Sequence, residues 1–139
     1  MADAMTEFNQ KVIEEFRSTG GKVGGQFAGA PMILVTHKGA KSGNTYTTPL
    51  VYSKDGDRYV VIASKAGAPT NPSWYHNLIA HPRVTLEVGG EKFDAEVSEA
   101  RGAERDRLFE AQAGLMPVFN QYQQRTERRI PVIVLARVK

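Results

Sequence analysis

Cysteine is absent from this 139-residue chain, tryptophan occurs once and histidine three times. No run approaches the roughly 20 apolar residues of a membrane span. Without cysteine there are no disulfides, thiolate nucleophiles or cysteine zinc sites, and the composition fits a reducing cytoplasm. The first residues also lack the apolar run of a signal peptide, so a cytoplasmic location is expected. A dense basic stripe is missing too: the net charge is +3, and Arg125, Arg128 and Arg129 are diluted by Glu127, so no nucleic-acid partner is expected. His37, His76 and His81 are too few and too poorly spaced for a metal centre, since a separation of five misaligns His76 and His81 on a helix. Ser42, Ser64 and Ser73 stand outside any Gly-x-Ser-x-Gly elbow, which argues against a hydrolase.

The length fits one domain spanning 1–139, with any ligand in a cleft or at a subunit contact. Phe8, Val12, Ile13 and Phe16 recur at helical spacing, which predicts an amphipathic helix within residues 1–20. Docking on its own barrel, on a second subunit or on a membrane surface is open to it. Burial against protein is expected, because its polar face carries Glu7, Glu14 and Glu15 beside Lys11 and Arg17, whereas peripheral membrane contact wants a more basic face. A glycine-rich loop follows through Gly25 and Gly29, and then Met32 to Val35 read as a buried strand. Thr45 to Tyr52 and Arg58 to Ala63 read as a hairpin across Asp55-Gly56. Val84 to Val88 and Lys92 to Val97 read as a second one across Gly89-Gly90. Ala103 to Ala113 and Pro117 to Gln124 carry helical patterns, and Pro131 to Val138 closes the chain as a strand. The sum is an α+β, mainly β fold: a small barrel of about six antiparallel strands with an N-terminal helix and short additional helices.

Three segments carry chemistry. Pro69 to Pro82 gathers the only Trp, two His and three prolines, and Asn71 is placed to cap a short helix that Pro82 stops. On that helix Trp74 and Tyr75 read as core aromatics or as the wall of a half-open cleft. The turn His37-Lys38-Gly39-Ala40-Lys41-Ser42-Gly43 reads as an anion site built from main-chain N–H groups and ammonium charges, or simply as a polar turn with a cationic rim. Met116, Phe119 and Tyr122 recur every three residues; core packing is the default, and a lid over a ligand is the alternative.

Taken in order, Lys41-Ser42-Gly43, Thr48-Pro49-Leu50, Ile62-Ala63-Ser64-Lys65, Asn71-Pro72-Ser73-Trp74-Tyr75-His76-Asn77-Leu78 and Arg129-Ile130-Pro131-Val132 resemble the deazaflavin-dependent nitroreductase family over about residues 6 to 139. The resemblance implies a split β-barrel that binds coenzyme F420, a deazaflavin with a phosphate and an acidic tail. It also implies hydride transfer from the reduced form to a small hydrophobic acceptor, either an enone, quinone or unsaturated lactone or, as in nitroreductases, a nitro compound. By position it assigns Ala40, Lys41 and Ser42 to the phosphate region, with Tyr46, Thr47, Thr48, Pro49, Leu50 and Val51 lining the same groove. Ile62, Ala63, Ser64 and Lys65, with Ser73, Trp74, Tyr75, His76 and Asn77, would enclose the ring system. Met116, Phe119 and Tyr122 would face the acceptor, and Ser64 or Tyr122 would supply the donor that stabilises developing negative charge.

Two departures bear on the expectation. Family members often carry Arg where this chain has Tyr46, which removes a guanidinium that grips phosphate bidentately. Met116 and Phe119 stand where related nitroreductases can have tyrosines, and a more apolar wall favours a flat, uncharged enone or quinone. A non-catalytic F420 carrier and an FMN-dependent oxidoreductase are the rival readings, and the protein is expected to be a monomer or a homodimer.

Overall fold

The computed structural model describes residues 4–24 and 31–138, without the side chains of residues 4–8 and of Ala66. The loop through Gly25 and Gly29 and the Phe8 side chain lie outside the described residues. Helix α1 spans Ala4–Thr19. The strands are β1 Met32–Lys38, β2 Thr45–Val51, β3 Ser53–Asp55, β4 Arg58–Ile62, β5 Arg83–Val88, β6 Glu91–Ala100 and β7 Val132–Arg137. Between them lie a 3₁₀ turn at Lys65–Gly67 and helices α2 Ser73–Ala80, α3 Gly102–Leu115 and α4 Val118–Gln124. All seven strands form one antiparallel sheet in the order β2-β1-β5-β6-β7-β4-β3.

That order forces the sheet to curl. β2 and β3 occupy opposite edges, yet Tyr52 alone separates them in the chain, so the two edges must approach each other. The Tyr52 N–H donates to the Pro31 carbonyl at 3.1 Å, and its ring meets Tyr59 edge-on at 5.4 Å. The result is a half-barrel, the split-barrel form the sequence led us to expect, with a seventh strand added by the three-residue β3.

Pairing of the first hairpin differs from expectation. Thr45–Val51 pairs with β1, from Met32↔Val51 to Lys38↔Thr45, and only Ser53–Asp55 pairs with β4 across Asp55-Gly56. The turn dipeptide was a valid local signal, but it fixes only the residues beside it. The longer pairing went to β1, whose own short turn at Gly39–Asn44 makes it the nearer partner. The second hairpin forms as read, from Arg83↔Glu96 to Val88↔Glu91, with Phe93 and Ala95 buried between charged residues.

The continuous apolar run of β1 is explained by burial of both faces. Met32 and Leu34 pack with Val12, Ile13 and Phe16 of α1, while Ile33 and Val35 face the barrel interior with Val61, Leu86 and Ile133. Helix α1 therefore docks on its own sheet, and Arg17 clamps it to Glu87 of β5 with two bonds of 3.0 and 2.8 Å. The same alternation recurs on β4 and β7. Tyr59, Val61, Ile133 and Leu135 point inward; Val60, Ile62, Val132 and Val134 point outward under Leu108, Phe109, Ala113 and Phe119 of α3 and α4.

Candidate functional site

The site grows from the β1–β2 turn. Gly39 donates its N–H to the Asn44 carbonyl at 2.8 Å, and Gly43 donates back to the Gly39 carbonyl at 3.1 Å. Ser42 Oγ accepts the Asn44 N–H at 3.1 Å and lies 3.3 Å from the Tyr46 hydroxyl. Hydrogen bonding to Tyr46 from Ser42 and then from the Asn44 side chain pulls its exposed phenol below its ordinary pKa. A Cβ on Gly39 would sit 2.5 Å from Ser42 Oγ and 3.0 Å from the Tyr46 ring, so the turn is closed around a missing side chain.

Helix α2 is held against this turn. The Ala40 N–H donates to Asn77 Oδ1 at 2.9 Å, Asn77 Nδ2 lies 3.1 Å from His37 Nδ1, and His37 Nε2 lies 2.9 Å from Thr48 Oγ1. His37 and Asn77 are both buried, and burial pushes the His37 pKa down to about 4, so the ring is neutral at neutral pH. The sequence reading made Asn71 the cap of α2. Instead Pro72 occupies the N-cap position without a side-chain cap, and Asn71 Oδ1 accepts a bond from Arg128.

Together these elements enclose a cavity of about 1060 Å³. It brings together Ala40, Lys41, Ser42, Tyr46, Thr47, Thr48, Ser73, Trp74, His76 and Asn77, all assigned to the cofactor groove from the sequence. It adds His37, Gly39 and Thr45, and from α1 Asn9, Gln10 and Ile13. The α1 residues had no sequence signal as site residues: Ile13 reads as the helix's apolar stripe and the two amides as its solvated face. His37 stood in the turn motif, where the sequence argued only against a metal role for it.

The other assigned residues lie outside this lining. Leu50 packs on the barrel core, Val51 packs beside α1, and Pro49 precedes them on β2. Tyr75 packs on the same core and donates to Glu99 at 2.7 Å, and burial together with that carboxylate raises its pKa to about 12. Ile62 and Ala63 are buried, and Lys65 reaches Thr70 at 3.3 Å. The Ser64 carbonyl belongs to a cluster around Arg128, whose guanidinium also binds the Ala63 and Ala68 carbonyls and Asn71 over 2.7–3.2 Å. Phe119 is buried in the α3/α4 core, and Met116 and Tyr122 pack against it, the rings of Phe119 and Tyr122 meeting edge-on at 5.7 Å.

The cavity's chemistry suits a deazaflavin. Its volume lies just above the roughly 300–1000 Å³ typical of small-molecule pockets, room enough for a large cofactor. The turn and β2 offer the Lys41 ammonium and the hydroxyls of Ser42, Tyr46, Thr47 and Thr48, which match an anionic tail. Helix α2 adds the flat indole of Trp74, which matches a ring system, and Ile13 of α1 lines the cavity from the other face of β1.

The curled antiparallel sheet with a groove at its first turn is a split-barrel fold. The family described as F420H(2)-dependent quinone reductase matches residues 9–137. The F420H(2)-dependent quinone reductase Rv1261c of Mycobacterium tuberculosis is 40% identical over 126 residues, covering 88% of this chain and 85% of its own length. A solved structure of an F420H2-dependent reductase, FDR-A, superposes with a TM-score of 0.70 at 36% identity, covering 76% of this chain and 93% of its own. A second, described as a domain-swapped dimer, gives 0.73 at 32% identity, covering 95% and 99%. The heme storage protein HutZ of Vibrio cholerae, at 14% identity and a TM-score of 0.61, covers 94% of this chain and 91% of its own and shares the fold alone. This chain belongs to the F420H2-dependent quinone reductase family. It is thus an oxidoreductase whose family cofactor is reduced F420, as the resemblance of its motifs implied.

Proposed function

We propose that this protein reduces a conjugated acceptor of the quinone or enone type, with reduced F420 held in the cavity between the β1–β2 turn, β2, α1 and α2. The observation that carries the reading is that one cavity combines a cationic, hydroxyl-rich wall at Lys41, Ser42 and Tyr46 with the flat indole of Trp74. When bound, reduced F420 supplies a hydride; the acceptor takes up that hydride and one proton. Lys41 attracts the anionic tail, Ser42 and Tyr46 offer it hydrogen bonds, and Trp74 orients the ring by stacking. Tyr46 in place of Arg leaves Lys41 as the cation on this wall, so affinity for the tail depends more steeply on that one residue.

Proton delivery is assigned to solvent or to hydroxyls of the cavity wall, because Ser64 and Tyr122 lie outside the lining. Ser64→Ala and Tyr122→Phe should therefore leave turnover within about threefold, whereas a fall of roughly 10² to 10³ in either would restore that residue as the donor. The function itself is tested by mixing the protein with reduced F420 and following its oxidation with menadione, cyclohexenone and a nitroimidazole. Fastest turnover with menadione or cyclohexenone is expected. A preference for the nitroimidazole would move the protein to the nitroreductases, F420 binding without turnover would make it a carrier, and tight FMN binding without F420 binding would overturn the reading.

A further inference from the structure

The hydrogen-bond directions in the chain from Ala40 to Thr48 are fixed by one group that has no choice. A main-chain N–H only donates, so the Asn77 atom 2.9 Å from Ala40 N is the amide oxygen. The other end of that amide, also a pure donor, then faces His37 Nδ1 at 3.1 Å, and this ring nitrogen must carry a lone pair. A neutral imidazole with a bare Nδ1 bears its hydrogen on Nε2, which lies 2.9 Å from Thr48 Oγ1. Thr48 therefore accepts from His37, and its own hydroxyl hydrogen is left to donate elsewhere. Among the described residues Thr48 has no second side-chain partner, and its side chain lines the cavity.

We propose that His37 is a positioning residue: its tautomer, fixed by Asn77, makes the Thr48 hydroxyl an obligate donor aimed at an acceptor oxygen of the cavity's ligand. The ligand half of this inference rests on the proposed F420 binding. The same chain couples the turn to the groove, because any movement of Ala40 is felt by Asn77 and passed through a buried ring to Thr48. The neutrality it requires agrees with the burial that holds His37 well below the ordinary imidazole range.

Two substitutions split the ring's roles. His37→Gln keeps a donor toward Thr48 at the far end of the side chain; His37→Asn keeps a partner for Asn77 and gives up the bond to Thr48. Folding of each is checked by its circular dichroism and melting curve. F420 binding, followed by fluorescence titration, should weaken about tenfold in Thr48→Val and in His37→Asn, the worth of one net hydrogen bond. It should weaken no further in the double variant and recover toward the parent in His37→Gln. Independent losses that multiply in the double variant, or equal losses in Gln and Asn, would overturn the ligand half. The tautomer is read on the unmodified protein by ¹⁵N–¹H correlation of the His37 ring, where a hydrogen on Nε2 is expected and one on Nδ1 would refute the relay. Failure of the unmodified protein to bind F420 would fall on the functional reading and remove the ligand half with it, while the ring spectrum still decides the relay.

Discussion

The Gly39–Gly43 turn is tied to α2 by a single main-chain bond to Asn77, whereas the loop at 63–71 is gripped by Arg128, whose guanidinium reaches four acceptors. The difference separates a surface whose polar groups are left open from one whose polar groups are bonded within the protein. At the turn, Lys41, Ser42 and Tyr46 stay exposed with bonding capacity to spare. In the loop, the carbonyls of Ala63, Ser64 and Ala68 are already occupied by protein. Arg105 repeats the pattern next to it: it binds the Ile130 carbonyl twice, at 3.1 and 2.8 Å, meets Gln123 at 2.8 Å and stacks 4.5 Å over Phe109. Gln123 then accepts the Ile130 N–H and donates to the Arg128 carbonyl. Satisfied groups of this kind stiffen a scaffold; exposed ones are solvated and free to exchange water for a ligand.

Gly67→Ala should make the largest change on the closed side. Gly67 has φ +82°, and an added Cβ would lie 2.7 Å from the Tyr122 carbonyl and 2.8 Å from Arg125 Cβ. A left-handed backbone and an overpacked contact together should cost about 2–4 kcal/mol, read as a lowered midpoint in urea denaturation. A variant as stable as the parent would show that α4 is not seated firmly on the 3₁₀ turn. Next, Arg128→Met keeps much of the length and removes the donors. It should destabilise by about 2–3 kcal/mol, less than the sum of four bonds because the freed carbonyls can take water. Faster amide exchange confined to residues 63–71 is the expected signature, and unchanged exchange there would undo the contrast between the two regions.

Much of this division was readable in the residues, and the unread part has a physical reason. Alternation and glycine turns placed the strands of β5–β6, and the apolar run of β1 marked a buried strand, which the structure shows to be covered on two faces. The turn and α2 motifs supplied most of the residues that line the cavity because their chemistry is local: glycines, lysines and a Trp within a few residues. Asn71 was misassigned because capping is also local logic, and a guanidinium 57 positions away outbid it for the same oxygen. Long-range edges were equally invisible, so β2 was paired by its nearest turn dipeptide rather than by the strand beside it. Asn9, Gln10 and Ile13 joined the cavity only because α1 packs on β1, a fact no helical periodicity contains.

On the open side, acid should act through His37. Its imidazole titrates near 6.5 when unfolded and near 4 in the fold, where burial disfavours the cation and both ring nitrogens bond to the uncharged Asn77 and Thr48. Between those values the unfolded chain binds a proton that the native one refuses, so stability is full above pH 6.5 and falls as the pH drops toward 4. From pH 8 to pH 5 this single group should remove on the order of 2 kcal/mol. Melting temperatures of the parent and of His37→Gln across that range test it: the variant's profile should be flatter, and parallel profiles would place the acid sensitivity elsewhere.

The smallest change repeats the first one at the other glycine. Gly39 has no left-handed backbone to lose, and the nearest obstacle to a Cβ is the Ser42 hydroxyl at 2.5 Å, the free end of a side chain that can rotate. Behind it the Tyr46 ring stands at 3.0 Å, and that ring is largely exposed and able to swing outward. Alanine also restricts the unfolded chain, a gain of about 0.4–1 kcal/mol that offsets the lost Ser42 contacts. Gly39→Ala should therefore stay within about 1 kcal/mol of the parent in urea while its F420 affinity falls, because Ser42 and Tyr46 move from the wall they form. The same carbon atom would then unfold one side of the molecule and merely reshape the other. Equal stability losses at Gly39 and Gly67 would mean that the turn is as tightly built as the loop, and that its exposed groups are not held ready for a ligand.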